Sequence, residues 1–134
     1  MNFLFDACAL IAYVRNERGG TLVGDILLDP TAQFFIHAVN LCEVYYDFIR
    51  VAGEQHADRI VQDTLSYGIK VIEQMDADLW KKAGIYKATL KKLSLADCFA
   101  LATAKRLNAT LVTSDHKEFD KVAALDICKI LFNR

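Results

Sequence analysis

The sequence predicts an α/β fold: a single three-layer domain, residues 1–134, with a central parallel five-stranded sheet and helices on both faces. Short apolar segments alternate with longer amphipathic ones along the chain, which is typical of strands alternating with helices. The short segments are largely apolar, as expected for strands buried on both faces. With 54% hydrophobic residues in 134, the chain can bury one core.

Five short segments rich in Phe, Ile, Leu or Val are predicted as strands. They are Asn2–Phe5, Gln33–His37, Ile69–Ile72, Ala109–Thr113 and Asp126–Leu131. The first apolar run stops at Asp6, and the fourth is followed by Ser114 and Asp115. Because ligands of open α/β sheets bind beyond the carboxyl ends of the strands, Asp6 and Asp115 are expected at that edge.

The segments between these strands are predicted as helices, because glycine, proline and asparagine punctuate them. They are Ala7–Asn16, Thr21–Leu28, Asn40–Ala52, Glu54–Tyr67, Asp76–Lys92, Ser94–Leu107 and Asp115–Ala123. Gly53 and Asn108 are the clearest stops. No apolar run is long enough to span a bilayer, and the start lacks the basic region of a secretory signal. We expect a cytoplasmic protein without membrane contact.

The cysteines show neither Cys-x-x-Cys pairs nor zinc-ligand spacing. They are Cys8, Cys42, Cys98 and Cys128, and we expect buried thiols. The net charge of −1 hides a basic stretch. It contains Lys81, Lys82, Lys87, Lys91 and Lys92. A basic surface of this kind suits a phosphate backbone, although lysines also solvate outer helix faces. Arg15 and Lys91 are candidate phosphate contacts.

Four carboxylates stand inside apolar segments: Asp6, Glu43, Asp97 and Asp115. No lysine or arginine lies within three residues of Glu43, and the nearest to Asp97 is Lys92. Acids in such surroundings must be paired, neutralised or bound to a metal. Oxygen ligands without histidine at ligand spacing favour Mg²⁺ or Mn²⁺ over zinc.

Helix capping is the competing explanation for these acids, at about 1 kcal/mol for each cap. Capping-box patterns occur at Asn40–Glu43, Ser94–Asp97 and Asp115–Glu118, and Asp6 could cap a helix alone. Glu118 and Asp120 are interpreted as surface caps or as groups behind the metal ligands. Two carboxylates ~4 Å apart repel by ~4 kcal/mol at an effective dielectric near 20, so four converging acids would require a cation.

The chain resembles PIN-domain nucleases, specifically the VapC-type toxin ribonucleases of type II toxin–antitoxin systems. The resemblance extends over nearly the whole chain and rests on the order and spacing of a few motifs. These are Leu4-Phe5-Asp6-Ala7-Cys8-Ala9-Leu10-Ile11-Ala12-Tyr13, Asn40-Leu41-Cys42-Glu43-Val44, Leu95-Ala96-Asp97-Cys98-Phe99-Ala100-Leu101-Ala102 and Leu111-Val112-Thr113-Ser114-Asp115-x-x-x-Phe119.

The resemblance implies that the four acids form a metal-binding catalytic pocket, holding Mg²⁺ (or Mn²⁺), that hydrolyses RNA phosphodiester bonds. It also implies a hydroxyl near the fourth acid, which Thr113 or Ser114 provides. Cys8 stands where the family often has Ser or Thr. A homodimer and a small antitoxin that inserts a basic segment into the acidic pocket are further implications.

Two other functions remain open: a stand-alone PIN ribonuclease in RNA processing or decay, and a non-catalytic metal- or RNA-binding PIN module. Rival folds lack their motifs. A dehalogenase-type phosphatase needs Asp-x-Asp after the first strand, where this chain has Asp6-Ala7-Cys8. A dinucleotide-binding domain needs a glycine-rich first turn, and none is present.

Overall fold

The computed structural model describes residues 1–90 and 92–134; the candidate phosphate contact Lys91 lies outside the described residues. The described strands are β1 (Asn2–Phe5), β2 (Gln33–His37), β3 (Ile69–Ile72), β4 (Thr110–Thr113) and β5 (Ile130–Phe132). The described helices are α1 (Ala7–Val14), α2 (Gly20–Leu27), α3 (Ala38–Ala52), α4 (Glu54–Leu65), α5 (Ala77–Thr89), α6 (Leu95–Leu107) and α7 (His116–Ala123).

The five strands form one sheet in the order β3-β2-β1-β4-β5, and every neighbouring pair is parallel. In this register Leu4 of β1 lies between Phe35 of β2 and Leu111 of β4. The chain therefore leaves β1 toward one side of the sheet and later returns to place β4 on the other. The predicted parallel α/β architecture is confirmed.

A separate apolar core covers each face of the sheet. Leu4 points into the core that includes residues of α5, α6 and α7. Phe3 and Phe5, its neighbours in sequence, point into the opposite core with residues of α1, α2, α3 and α4. This alternation follows from the two-residue period of a strand. Among the described residues, no helix is both long and apolar enough to cross a membrane.

Several element boundaries differ from the prediction by one to four residues, and two of them, the starts of β5 and α3, have a clear local cause. The last strand begins at Ile130, because Asp126 adopts a left-handed conformation (φ 55°) and leaves the chain in a turn. Helix α3 begins at Ala38, two residues before Asn40. His37 ends β2 and caps α3 with its ring, since Nδ1 accepts a hydrogen bond from the Val39 amide at 3.1 Å.

The cysteines are only in part the buried thiols that the sequence predicts. Cys98 is buried and Cys128 is half-buried, whereas Cys8 and Cys42 are exposed. Cys8 lies in the first turn of α1 at the sheet edge, and Cys42 lies on an outer face of α3. All four are free thiols.

Candidate active site

The carboxyl ends of β1 and β4 meet at one edge of the sheet, and an acid follows each strand. Asp6 comes directly after β1, and its amide donates to the Val112 carbonyl of β4 at 3.1 Å. Asp115 comes two residues after β4, and its amide donates to Thr113 Oγ1 at 3.0 Å. Because neighbouring parallel strands end at the same edge, the two acids share one side of the molecule.

Helices α3 and α6 bring the other two acids to this edge. Glu43 lies in the second turn of α3, which starts immediately after β2. Asp97 lies in the first turn of α6, and its amide donates to Ser94 Oγ at 3.2 Å. Asn40 ties the two helices together, because its buried side-chain amide donates to the Ala96 carbonyl at 3.3 Å.

Three carboxylates form a tight group in which Glu118 stands beside two of the predicted acids. One oxygen from each of Asp97, Asp115 and Glu118 lies within 4.8 Å of the others. Asp115 caps α7 by accepting from the Glu118 amide at 3.1 Å, and Glu118 Oε2 accepts from the Ser94 amide at 3.3 Å. Of the two interpretations of Glu118, the surface cap is wrong, because Glu118 is half-buried within the cluster, whereas a role behind the metal ligands stays a prediction. Its position one helical turn after Asp115 was the available signal.

Asp120, which has the same interpretation, does lie on the surface. Its carboxylate accepts from His116 Nδ1 at 2.8 Å, and both residues are exposed. The His116 ring also stacks on Phe132 at a centroid distance of 4.0 Å. The stacking connects the start of α7 to the end of β5.

Asp6 is the most buried acid of the site, with 1% of its surface exposed. Its Oδ1 accepts from the Ala9 amide at 2.9 Å, whereas Oδ2 has no hydrogen-bond partner among the described residues. The pKa of Asp6 is raised to about 7, mainly by burial and to a lesser extent by the charges of Asp115 and Glu43, while the nearby Thr113 hydroxyl and Ala9 amide lower it. Asp6 thus offers a free oxygen for a ligand.

The remaining acids also lack compensating charge. Burial raises the pKa of Asp97 to about 9, with the neighbouring Glu118 carboxylate as the next cause. Burial and Glu118 likewise raise the pKa of Glu43. No ion pair among the described residues involves these acids. A divalent cation with a preference for oxygen ligands fits this donor set, because it would supply the missing positive charge.

The capping explanation also holds for part of the site. Asp6 and Asp115 accept hydrogen bonds from the first turns of α1 and α7, and Ser94 caps α6. Asn40 caps nothing, because it lies inside α3. Each cap uses one side-chain oxygen, so the second carboxylate oxygen of Asp6 and Asp115 remains available to a metal.

Two hydroxyls and one thiol lie close to the acids. Thr113 and Ser114 are buried, and Ser114 Oγ has no hydrogen-bond partner among the described residues. Cys8 is exposed at the mouth of the site. Desolvation of its sulfur, followed by the charges of Asp6 and Asp97, raises the pKa of the Cys8 thiol to about 12. The thiol is therefore protonated at neutral pH.

Arg15 is occupied by another interaction. Its Nη2 lies 2.6 Å from Asp47 Oδ2, and its guanidinium lies 5.3 Å from the centre of the Phe48 ring. These contacts connect the end of α1 to α3. The structure thus places Arg15 in an ion pair within the protein, and a role as phosphate contact stays a prediction.

Comparison with known proteins agrees with this fold. The PIN domain family model matches residues 3–125. No curated protein gives a significant match. A solved structure of VapBC-1 from nontypeable Haemophilus influenzae is similar with a TM-score of 0.76 at 18% identity, covering 99% of this chain and 98% of that one. VapBC2 from Rickettsia felis, bound to a promoter DNA fragment, gives a TM-score of 0.79 at 18% identity, covering 98% of each chain.

A third similar structure is VapC20 from Mycobacterium tuberculosis, described as a sarcin–ricin loop cleaving toxin. Its TM-score is 0.73 at 15% identity, and the match covers 89% of this chain and 94% of that one. Likeness at this identity establishes the fold, and the family model covers nearly the whole sequence. The protein therefore belongs to the PIN domain family.

Proposed function

We propose that the protein, acting as one PIN domain over residues 1–134, is an endoribonuclease that depends on Mg²⁺ or Mn²⁺. The observation that carries this proposal is the approach of the Asp97, Asp115 and Glu118 oxygens to within 4.8 Å of one another. Like charges at such distances repel, and folding alone gives no reason to collect them. The buried, unpartnered oxygen of Asp6 at the same edge adds a further ligand.

In this proposal Asp6, Asp97 and Asp115 hold the ion, and Glu43 and Glu118 bind it directly or through water. When bound, a divalent ion lowers the pKa of coordinated water and polarises a phosphodiester oxygen. The protein's own contribution is orientation. The Ala9 amide fixes one oxygen of Asp6, and the Glu118 amide fixes one oxygen of Asp115. The Asn40 contact to Ala96 holds Glu43 and Asp97 on facing helices.

RNA is the proposed substrate, and the toxin of a toxin–antitoxin pair is the proposed biological role. VapC20 is described as cleaving the sarcin–ricin loop, and two other similar structures are VapBC complexes. An antitoxin that inserts a basic segment would satisfy the same uncompensated carboxylates that a metal does. We also infer a homodimer and a cytoplasmic location. Growth arrest on expression, relieved by a small protein from a neighbouring gene, distinguishes this role from stand-alone RNA processing.

Cleavage of fluorescent RNA tests the proposed chemistry directly. Hairpin and unpaired RNAs should be cut in Mg²⁺ and left intact in EDTA. Asp97→Asn should fold normally and lose at least ~100-fold in cleavage rate, because it removes a ligand of the ion. Asp63→Asn is a matched control, since this acid lies exposed on α4.

Cleavage that persists in EDTA would contradict the metal dependence. An Asp97→Asn variant with nearly the wild-type rate would contradict the assignment of the site. An intact fold is checked by circular dichroism, so that loss of activity is not confused with loss of structure.

A further inference from the structure

A pocket of about 310 Å³ opens between α7 and the connection from α5 to α6. Its lining contains four apolar side chains: Leu90, Leu93, Val122 and Leu125. Leu93 and Val122 are buried in the core that includes residues of α5, α6 and α7, so the fold fixes the position of this wall. The volume lies at the lower end of the ~300–1,000 Å³ found for small-molecule sites.

Three lysines, Lys92, Lys117 and Lys121, also line this pocket. Lys117 and Lys121 lie one turn apart on the same face of α7. All three are exposed, and none of them forms an ion pair with another described residue. The ammonium groups are therefore free to bind an anion. Lys87 stabilises the wall from outside, since its Nζ donates to the Leu93 carbonyl at 2.7 Å.

Glu118 connects the pocket to the acidic centre. It lines the pocket and also belongs to the three-carboxylate group with Asp97 and Asp115. It is the only acid among the described lining residues. A ligand in the pocket would thus lie next to a phosphate held at the centre, and both could belong to one strand.

The pocket's chemistry selects among possible occupants. Apolar walls favour a flat, weakly hydrated group, and the three lysines favour negative charge. A nucleotide combines the two, because a base carries little charge and its phosphates carry the rest. A basic peptide would be repelled by the lysines, although it would suit the neighbouring carboxylates.

We propose that this pocket binds one nucleotide of the RNA strand next to the bond that is cleaved. Its base lies against Leu90 and Leu125, and its phosphates contact Lys117 and Lys121. The inference rests on the proposed function and deepens it, since it assigns a substrate subsite beside the metal ligands.

Binding without cleavage provides the test. In an Asp97→Asn background, the affinity for a fluorescein-labelled unpaired RNA dodecamer of mixed sequence is measured by anisotropy. Lys117→Ala/Lys121→Ala should weaken binding at least ~10-fold at low salt. It should also reduce the slope of log K against log salt by about 1.4, because each phosphate contact on a single strand contributes about 0.7.

Lys105→Ala/Lys129→Ala is the matched control, because these exposed lysines lie at the opposite edge of the sheet, beside Asn2 and Thr110. It removes the same charge and should change the affinity less than ~2-fold. Equal losses in both double variants would show a general charge effect and overturn the subsite. An unchanged affinity in Lys117→Ala/Lys121→Ala would overturn it as well.

A second measurement examines the base. Adenosine 5′-monophosphate should shift the backbone amide signals of residues 117–125 in NMR spectra at a concentration at least ~5-fold lower than ribose 5-phosphate does. Equal binding of the two would overturn the assignment of the apolar wall to a base. Hydrolysis of bis(4-nitrophenyl) phosphate by the wild type in Mn²⁺ reports on the acidic centre alone. Failure of the proposed function is therefore distinguishable from failure of the subsite.

Discussion

Glu118 has three roles at the scale of a single residue. Its amide donates a hydrogen bond to the capping Asp115, its carboxylate accepts one from the Ser94 amide, and the same carboxylate belongs to the three-carboxylate group. The Ser94 contact crosses from α7 to the start of α6. Glu118 therefore fixes the distance between the two helices that carry Asp97 and Asp115.

Replacing this carboxylate tests its membership of the site. Glu118→Gln should retain the contact to Ser94 through its side-chain oxygen and lose metal-dependent cleavage by at least ~10-fold, because one negative ligand is gone. Asp120→Asn, two residues along the same helix, serves as the control and should cleave within ~2-fold of wild type. Equal rates for the two variants would place Glu118 outside the metal site.

The four candidate acids stand out in the sequence, whereas Glu118 does not. Asp6, Glu43, Asp97 and Asp115 stand out because no nearby cation explains a charge in an apolar segment. Glu118 follows Lys117 in a polar helix, so its sequence neighbours suggest an ordinary solvated position. Only the packing of α7 against Ser94 turns its side chain inward.

At the scale of elements, Asn40 links α3 to α6 through a buried hydrogen bond. Its side chain is fully buried and donates across the interface, while its Oδ1 has no partner among the described residues. A buried amide with an unsatisfied oxygen costs free energy. The structure retains it one turn before Glu43, where it sets the position of that acid relative to Asp97.

Removing the Asn40 side chain should therefore affect activity more than stability. Asn40→Ala is expected to lower the free energy of unfolding by about 1 kcal/mol and the cleavage rate by ~10-fold. Thr64→Val is the matched control, because this buried hydroxyl bonds only to Ile60 within α4. It should lose similar stability in urea titrations and retain its cleavage rate. A fully active Asn40→Ala would show that the contact is merely structural.

A bidentate ion pair connects the start of α5 to α6. Asp76, which precedes α5, accepts from Arg106 of α6 at 2.7 and 2.8 Å. The Arg106 contact lowers the pKa of Asp76 to about 2 from its ordinary 3.8. A depressed carboxyl pKa contributes stability above about pH 4, and that contribution is lost as the pH falls toward 2.

The Asp76–Arg106 pair should thus show a pH-dependent coupling. Asp76→Asn is expected to lower Tm slightly at pH 7, and the difference from wild type should shrink steadily between pH 4 and pH 2. A double-mutant cycle with Arg106→Gln isolates the pair, and high salt should reduce its coupling. A difference in Tm that is constant with pH would assign the effect to something other than this ion pair.

The sequence predicts the types of the elements more accurately than their boundaries. The apolar runs fixed β1 and β2, and Gly53 marked the break between α3 and α4. The start of α3 was missed, because a histidine ring replaces the usual hydroxyl or carboxylate cap. The start of β5 differs because Ile127 and Cys128 are apolar but do not pair with β4. The pairing of β5 with β4 begins at Ile130, opposite Leu111.

On the scale of the whole molecule, β1 is the strand on which both cores depend. Leu4 contributes to the core beneath α6, and Phe5 contributes to the core beneath α3. Both side chains are fully buried. The acidic site also depends on this central strand, since Asp6 follows it directly.

Leu4→Ala should therefore destabilise the entire fold. We expect a loss of about 2–5 kcal/mol in the free energy of unfolding, because the substitution leaves a cavity between the sheet and α6. Leu28→Ala is the control, since Leu28 is 79% exposed and should change stability by less than ~0.5 kcal/mol. Urea titration of both variants checks the prediction. Similar midpoints would show that β1 is less central than its position suggests.

The order of the strands has a consequence for synthesis. Asp6 and Glu43 precede β4 in the chain, but Asp115 and Glu118 follow it, and β4 pairs with β1 only after β2 and β3 have been made. A half-made polypeptide contains only two of the candidate acids, Asp6 and Glu43, and cannot form the three-carboxylate group. For a nuclease of the kind proposed, the site therefore stays incomplete until β4 and α7 have been made and have folded against the earlier elements.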